Sequence, residues 1–76
     1  MSDKRIDAPR FMVGDVVEII PAVAGSLDES TGKVIGILLD PNTRSMDKYT
    51  VRFPSSEEHF AFWDVELQRE AMSFVV

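Results

Sequence analysis

Residues 48–53 read Lys-Tyr-Thr-Val-Arg-Phe, the cleanest polar/apolar alternation in the chain, and that two-residue period fixes what can form there. Successive side chains of a strand point to opposite faces, so Tyr49, Val51 and Phe53 line one face and Lys48, Thr50 and Arg52 the other. A helix would scatter both sets around its axis. The segment reads as a half-buried strand, and the rest of the chain must supply the sheet it joins.

Two further segments fit that sheet. Gly14-Asp15 is a turn signal feeding the β-branched run Val16 to Ile20, which Pro21 ends because it has no amide proton for a ladder. Residues 21–31, rich in Ala, Gly, Ser and acidic groups, read as a long loop. Gly32 to Leu39 is a central strand, apolar at Val34, Ile35, Ile37, Leu38 and Leu39, with Gly36 where a bulge or sharp bend fits. Asp40-Pro41-Asn42-Thr43 is a turn, and Pro54-Ser55-Ser56 closes the third strand.

Residues 58–70 admit two readings. Phe60 and Phe62 alternate with His59, Ala61 and Trp63 as in a strand, yet Phe60, Trp63 and Leu67 also lie at helical spacing after a capping box from Ser55 to Glu58. The strand reading is favoured: strand to about Trp63, a 3₁₀-like turn over Asp64-Val65-Glu66, and a short closing strand from Leu67. Three strands alone would leave two open edges, a liability that closure removes. The expected fold is all-β, a small five-stranded barrel with a short 3₁₀ turn before the last strand.

The size of the chain bounds it to one domain, since 76 residues carry enough apolar surface for one modest core. With no cysteine, that core must hold by packing, and thiolate metal sites and cysteine nucleophiles drop out together. Residues 1–10 lack the apolar run of a signal peptide or membrane helix, and read as the flexible lead of a cytoplasmic protein with no membrane attachment. The domain is placed at 11–71. The apolar end, Met72 to Val76, is expected to pack on the barrel or on a partner.

The motif order Gly14-Asp15, Gly32-x-Val34-x-Gly36-Ile37, Tyr49-x-Val51-x-Phe53 and Glu66-Leu67 resembles the layout of SH3-like barrels such as Tudor-type and KOW-type modules, across residues 11 to 70. Within that group, Gly14-Asp15-x-Val17, Gly32-x-Val34 and Tyr49-Thr-Val-Arg-Phe53 are similar to the barrel domain of the nitrile hydratase β subunit. That likeness implies an accessory, scaffolding role beside a metal-bearing partner subunit. The chain departs from it in loop 21–31, which lacks the family's His and Arg, and in having no helical half.

Chemistry of its own is not expected. His59 is the single histidine, flanked by Glu57, Glu58 and Asp64, and on a strand it points opposite Phe60, hence outward. One histidine among scattered carboxylates has no metal-ligand spacing. Ser30-Thr31-Gly32-Lys33 fails as a phosphate loop, because Leu27 stands at the first required glycine and Gly32 opens a strand. The stretch from Asp40 fails as a calcium loop, having Ser45 at the sixth position and Val51 at the twelfth. No catalytic, cofactor or metal residue is assigned.

Binding is the expected role. Most of the rings Tyr49, Phe53, Phe60 and Phe62 are needed for the core, whereas Trp63 falls on the opposite side of its strand and is a candidate hot spot. The net charge of −5 opposes a long polyanion, yet residues 33–56 hold four basic side chains, Lys33, Arg44, Lys48 and Arg52, against two acidic ones. These cations either form a solvated face paired with Asp40, Asp47 and Glu58, or receive an acidic partner or a short nucleic acid. Asp28 and Glu29 in the long loop complete the candidate contacts. Another protein is the expected partner, with nucleic acid as the alternative, and the chain is expected to be a monomer or homodimer.

Overall fold

The computed structural model describes residues 8–25, 29–56 and 58–69. Its elements are β1 (Val16–Ile19), α1 (Pro21–Ala24), β2 (Thr31–Leu38), a 3₁₀ turn (Arg44–Met46), β3 (Lys48–Arg52), β4 (His59–Trp63), a second 3₁₀ turn (Asp64–Glu66) and β5 (Leu67–Arg69). The strands make one antiparallel sheet in the order β4-β3-β2-β1-β5. The all-β class, the five strands and the 3₁₀ turn before the last strand are as the sequence predicts. β4 and β5 are the two edges of the sheet, yet one three-residue turn joins them. Four peptide units span at most about 14 Å, so the sheet must curl until its edges approach at that corner. No ladder joins β4 to β5 among the described residues, and the sheet is open.

The helical alternative for residues 58–70 is excluded. Ile19 pairs with Leu67, Glu18 with Gln68 and Val17 with Arg69, which a helix through Leu67 would prevent. The capping box from Ser55 to Glu58, on which the helical alternative rested, does not form. The Glu58 amide donates instead to Ser56 Oγ at 2.9 Å, closing a local turn ahead of β4.

Two boundaries differ from expectation for identifiable reasons. Ile20 leaves β1 because its carbonyl accepts from the amides of Val23 (3.0 Å) and Ala24 (2.9 Å), making one helical turn with Pro21 at its first position. The segment 21–31 thus opens with α1, whose Val23 and Ala24 pack on the core. Residues 26–28, and Asp28 with them, lie outside the described residues, as do 1–7 and the tail Met72 to Val76. At the other boundary, Arg10, assigned to the flexible lead, is fixed in place. Its Nε donates to Asp64 Oδ1 at 2.9 Å, and its Nη2 donates to the carbonyls of Asp64 (2.7 Å) and Leu67 (2.6 Å).

The core is Phe11, Val17, Ile19, Val34, Tyr49, Val51, Phe53, Phe62 and Leu67. β1 gives it Val17 and Ile19 and β3 gives it Tyr49 and Val51, each set of one parity, whereas on β2 Val34 and Ile37 both turn inward across a shift in register. On β4 only Phe62 is buried. Phe60 shares its face but stands near the strand's start, 42% exposed and tilted on Phe53, so the core reading holds for one of these two rings and half-fails for the other. Gly14 turns the chain into β1 at φ 101°, a conformation that favours glycine, and its amide donates to the Val34 carbonyl at 2.8 Å. Gly32 is fixed by space, since a Cβ there would stand 2.6 Å from Val51 Cγ1 and 2.8 Å from the Arg52 carbonyl oxygen.

Candidate functional site

Because Tyr49 and Val51 are committed to the core, Lys48, Thr50 and Arg52 must face out, and the ladders fix what stands beside them. Three rows cross the outer face. Leu38, Lys48 and Trp63 lie abreast, then Gly36, Thr50 and Ala61, then Lys33, Arg52 and His59, with Val16 of β1 next to Lys33. A bulge at Ile35 sets this phase on β2. The register shifts between Val34 and Gly36, so Val34 and Ile37 both turn toward the core, leaving Gly36 and Leu38 outside.

The first row is amphipathic. Trp63 is 40% exposed, and the Lys48 ammonium sits 4.5 Å from its ring centroid in a cation–π contact that holds the charge above the outermost strand. The Trp63 amide, pointing away from β3, donates to Glu66 Oε1 at 2.9 Å, which ties the tryptophan to the turn that follows it. Leu38, at the other end of the row, is exposed. The middle row is low, since Gly36 and Ala61 carry little or no side chain.

The third row is cationic. Lys33 and Arg52 are directly opposed across neighbouring strands, where like charges repel. Among the described residues neither side chain makes a hydrogen bond or an ion pair. A shallow depression of about 520 Å³ runs between them, floored and flanked by Val16, Ile35, Phe53 and Pro54. Of the carboxylates expected to pair with this face, Asp47 is wholly buried and accepts from the Asp40 amide at 2.8 Å through Oδ1. Asp40 in turn accepts from the amides of Asn42 (2.8 Å) and Thr43 (2.9 Å). Those two carboxylates shape the turn between β2 and β3. Glu58 is exposed just ahead of β4.

The structure therefore brings Trp63, Lys48 and Arg52 onto one surface and adds Lys33, Leu38 and His59 to it. Arg44 lies in the 3₁₀ turn ahead of β3, apart from the rows. Glu29 lies beyond the Arg52 end of the sheet, where its Oε1 accepts from the Ser55 amide at 3.4 Å. His59 is exposed beside Arg52, and Asp64 does not orient it, being buried and bound to Arg10.

A buried polar cluster stands on the inner side of the sheet and escaped the sequence reading. Arg10 bridges Asp64 and Leu67, Asp64 donates its amide to the Asp47 carbonyl at 2.8 Å, and the Tyr49 hydroxyl accepts from the Phe11 amide at 3.4 Å. Burial raises the Tyr49 phenol above its ordinary pKa, and the charges of Asp64 and Asp47 raise it further against the lowering effect of the Phe11 amide. The cluster locks the turn that carries Trp63 and is a structural device. Arg10 sits 54 residues from Asp64 in the chain, so no local signal announces it.

Among the described residues no helix is long and apolar enough to cross a membrane, and no three His, Asp or Glu side chains gather as a metal site. No protein-family model, curated protein or solved structure matches the chain, and the chemistry of the outer face is what bears on its role.

Proposed function

We propose that this chain is a non-catalytic interaction module, a small barrel of the SH3-like type that docks an acidic protein partner on its outer sheet face. The observation that carries the reading is the opposed pair Lys33 and Arg52, continuous with Lys48 poised over Trp63. A like-charge pair across two strands costs stability when nothing answers it, and an anionic partner turns that cost into attraction. Trp63 and Leu38 supply the apolar contact that charge alone lacks. The barrel reading is supported by β1 pairing with both β2 and β5, and by the single 3₁₀ turn joining the two sheet edges.

A nucleic-acid-binding role of the KOW or Tudor-like sort is the second reading, favoured by the same cations beside an exposed tryptophan ring. The net charge of −5 weighs against it, because long-range repulsion slows and weakens the approach of a polyanion.

The test is affinity capture from native lysate with the wild-type chain and with the Lys48→Glu/Arg52→Glu variant. A stoichiometric protein held by the wild type and lost from the variant is the expected result. No stoichiometric protein, or one retained equally by both, refutes docking on this face.

A further inference from the structure

The phase of the β3–β4 ladder decides which way the main chain of β4 points. The Asp64 amide donates to the Asp47 carbonyl, so Asp47 and Asp64 are a hydrogen-bonded pair, and the alternate pairs Tyr49–Phe62 and Val51–Phe60 follow suit. The pairs between them, Lys48–Trp63, Thr50–Ala61 and Arg52–His59, turn their β4 main-chain groups away from β3. Trp63 confirms the phase, since its amide is taken by Glu66 Oε1. Among the described residues, the N–H and C=O groups of His59 and Ala61 face outward with no partner strand, and the edge strand itself carries none of the usual guards in its sequence. The strand His-Phe-Ala-Phe-Trp has no lysine, no acidic residue and no proline.

We propose that the open edge of β4 takes up an extended peptide as a sixth, antiparallel strand, and that this peptide carries carboxylates four residues apart on its outward face. This rests on the reading of the outer face as a docking surface and names its partner. Side chains of an added strand would stand beside Trp63, Ala61 and His59 on one face and beside Phe60 and Phe62 on the other. On the outer face, Lys48 leans over Trp63 toward the added strand, and Arg52 lies behind His59. These two cations are four residues apart, about 13 Å along the strand, which sets the spacing of the two carboxylates. Ala61 between them leaves room for a small side chain. On the inner face, half-exposed Phe60 calls for an apolar residue. The partner is an extended segment in which apolar residues alternate with Asp or Glu. A second copy of this chain fits poorly, because antiparallel pairing of two β4 strands about Ala61 puts Lys48 of each copy in one row with Arg52 of the other, and a second copy brings no carboxylate to answer them.

The probe is the blocked heptapeptide Thr-Asp-Val-Thr-Val-Asp-Thr, titrated into the full ¹⁵N-labelled chain. Amides of β4 and of its Lys48 to Arg52 neighbours should shift. A peptide with Lys in place of both Asp should bind about tenfold more weakly, as should the wild-type peptide to the Lys48→Glu/Arg52→Glu chain. N-methylation separates strand addition from simple charge attraction without altering the protein. In antiparallel pairing the outward-facing second, fourth and sixth peptide residues point their amides at β4, so methylating those abolishes binding, while methylating the third and fifth spares it. Absence of shifts at millimolar peptide, indifference to methylation, or equal loss from both patterns overturns the proposal. Tighter binding of an eight-nucleotide oligothymidylate to the same amides overturns the peptide as occupant. If the peptide fails while capture of a lysate protein still depends on Lys48 and Arg52, the edge is wrong and the docking face stands; if both fail, the face falls too.

Discussion

Replacing Arg10 with Ala is expected to cost the domain a large part of its stability, although the residue precedes the first strand by six positions. The side chain supplies three hydrogen bonds, one to the Asp64 carboxylate and two to the carbonyls of Asp64 and Leu67, and its guanidinium lies 4.7 Å from the Phe11 ring centroid. Truncation leaves the Asp64 carboxylate, whose side chain is 8% exposed, without its counter-charge. Breaking a buried pair from one side costs about 3–5 kcal/mol. The Arg10 side chain is 33% exposed, so water reaches part of the site and the figure falls to about 2–3 kcal/mol. A chain of 76 residues has roughly 4–11 kcal/mol in all. Urea unfolding followed by the fluorescence of Trp63, the single tryptophan, measures it directly. At a slope near 1 kcal/mol per molar urea, the midpoint should drop by about 2–3 M. Asp64→Asn, which keeps the acceptor oxygen and removes the charge, should cost less. In the double variant the two losses should fall short of additive, because the pair has already been broken. A loss below about 0.5 kcal/mol for Arg10→Ala, the range of an ordinary surface change, would refute the account of this cluster.

Three further outcomes follow from the core and the sheet. Gly32→Ala forces a Cβ to within 2.6 Å of Val51 Cγ1 and 2.8 Å of the Arg52 carbonyl oxygen, and should lower stability by about 1–3 kcal/mol in a thermal melt. Gly36→Ala meets nothing closer than 3.7 Å, at Thr50, and should be neutral or stabilising by up to about 1 kcal/mol; equal effects at the two glycines would contradict the register drawn here. Tyr49 is the single tyrosine, so tyrosinate absorbance reports it alone. Its phenol is raised in the folded state, so the unfolded chain loses that proton first. The stabilisation is whole below pH about 10 and lost as pH climbs through the folded value. Tyr49→Phe should flatten the alkaline limb of stability against pH, and a tyrosine that titrates at its ordinary pKa in the folded protein would show the burial to be wrong.

What the sequence disclosed and what it hid divide along contact distance. The alternation at 48–53 is local, and it placed Tyr49 and Val51 inside and Lys48 and Arg52 outside. The segment 58–70 is locally ambiguous, because Phe60, Trp63 and Leu67 satisfy both periods, and the choice is made by Leu67 meeting Ile19 across the sheet. Arg10 was read as lead for the same reason, its partners being 54 and 57 residues away. Asp47 was read into a solvated face and Asp64 as a neighbour of His59, whereas both are buried and hydrogen-bonded, because the partners that bury them are not visible in the local sequence. The candidate site shows the division within single residues. Strand parity put Trp63 on the outer side, but parity says nothing of neighbours, and only the register sets Lys48 beside it and Leu38 beyond. On β2 parity itself misleads. Counted from buried Val34 with a period of two, Leu38 would face the core and Ile37 the solvent. The extra residue at Ile35 reverses both, so Ile37 packs on the core and Leu38 stands 70% exposed in line with Lys48 and Trp63. The bulge makes the apolar half of the proposed docking face, and deleting Ile35 leaves Val34 and Ile37 two residues apart, so the straightened strand should keep Ile37 on the core and Leu38 beside Lys48; loss of Leu38 from that face in the deletion variant would refute the register.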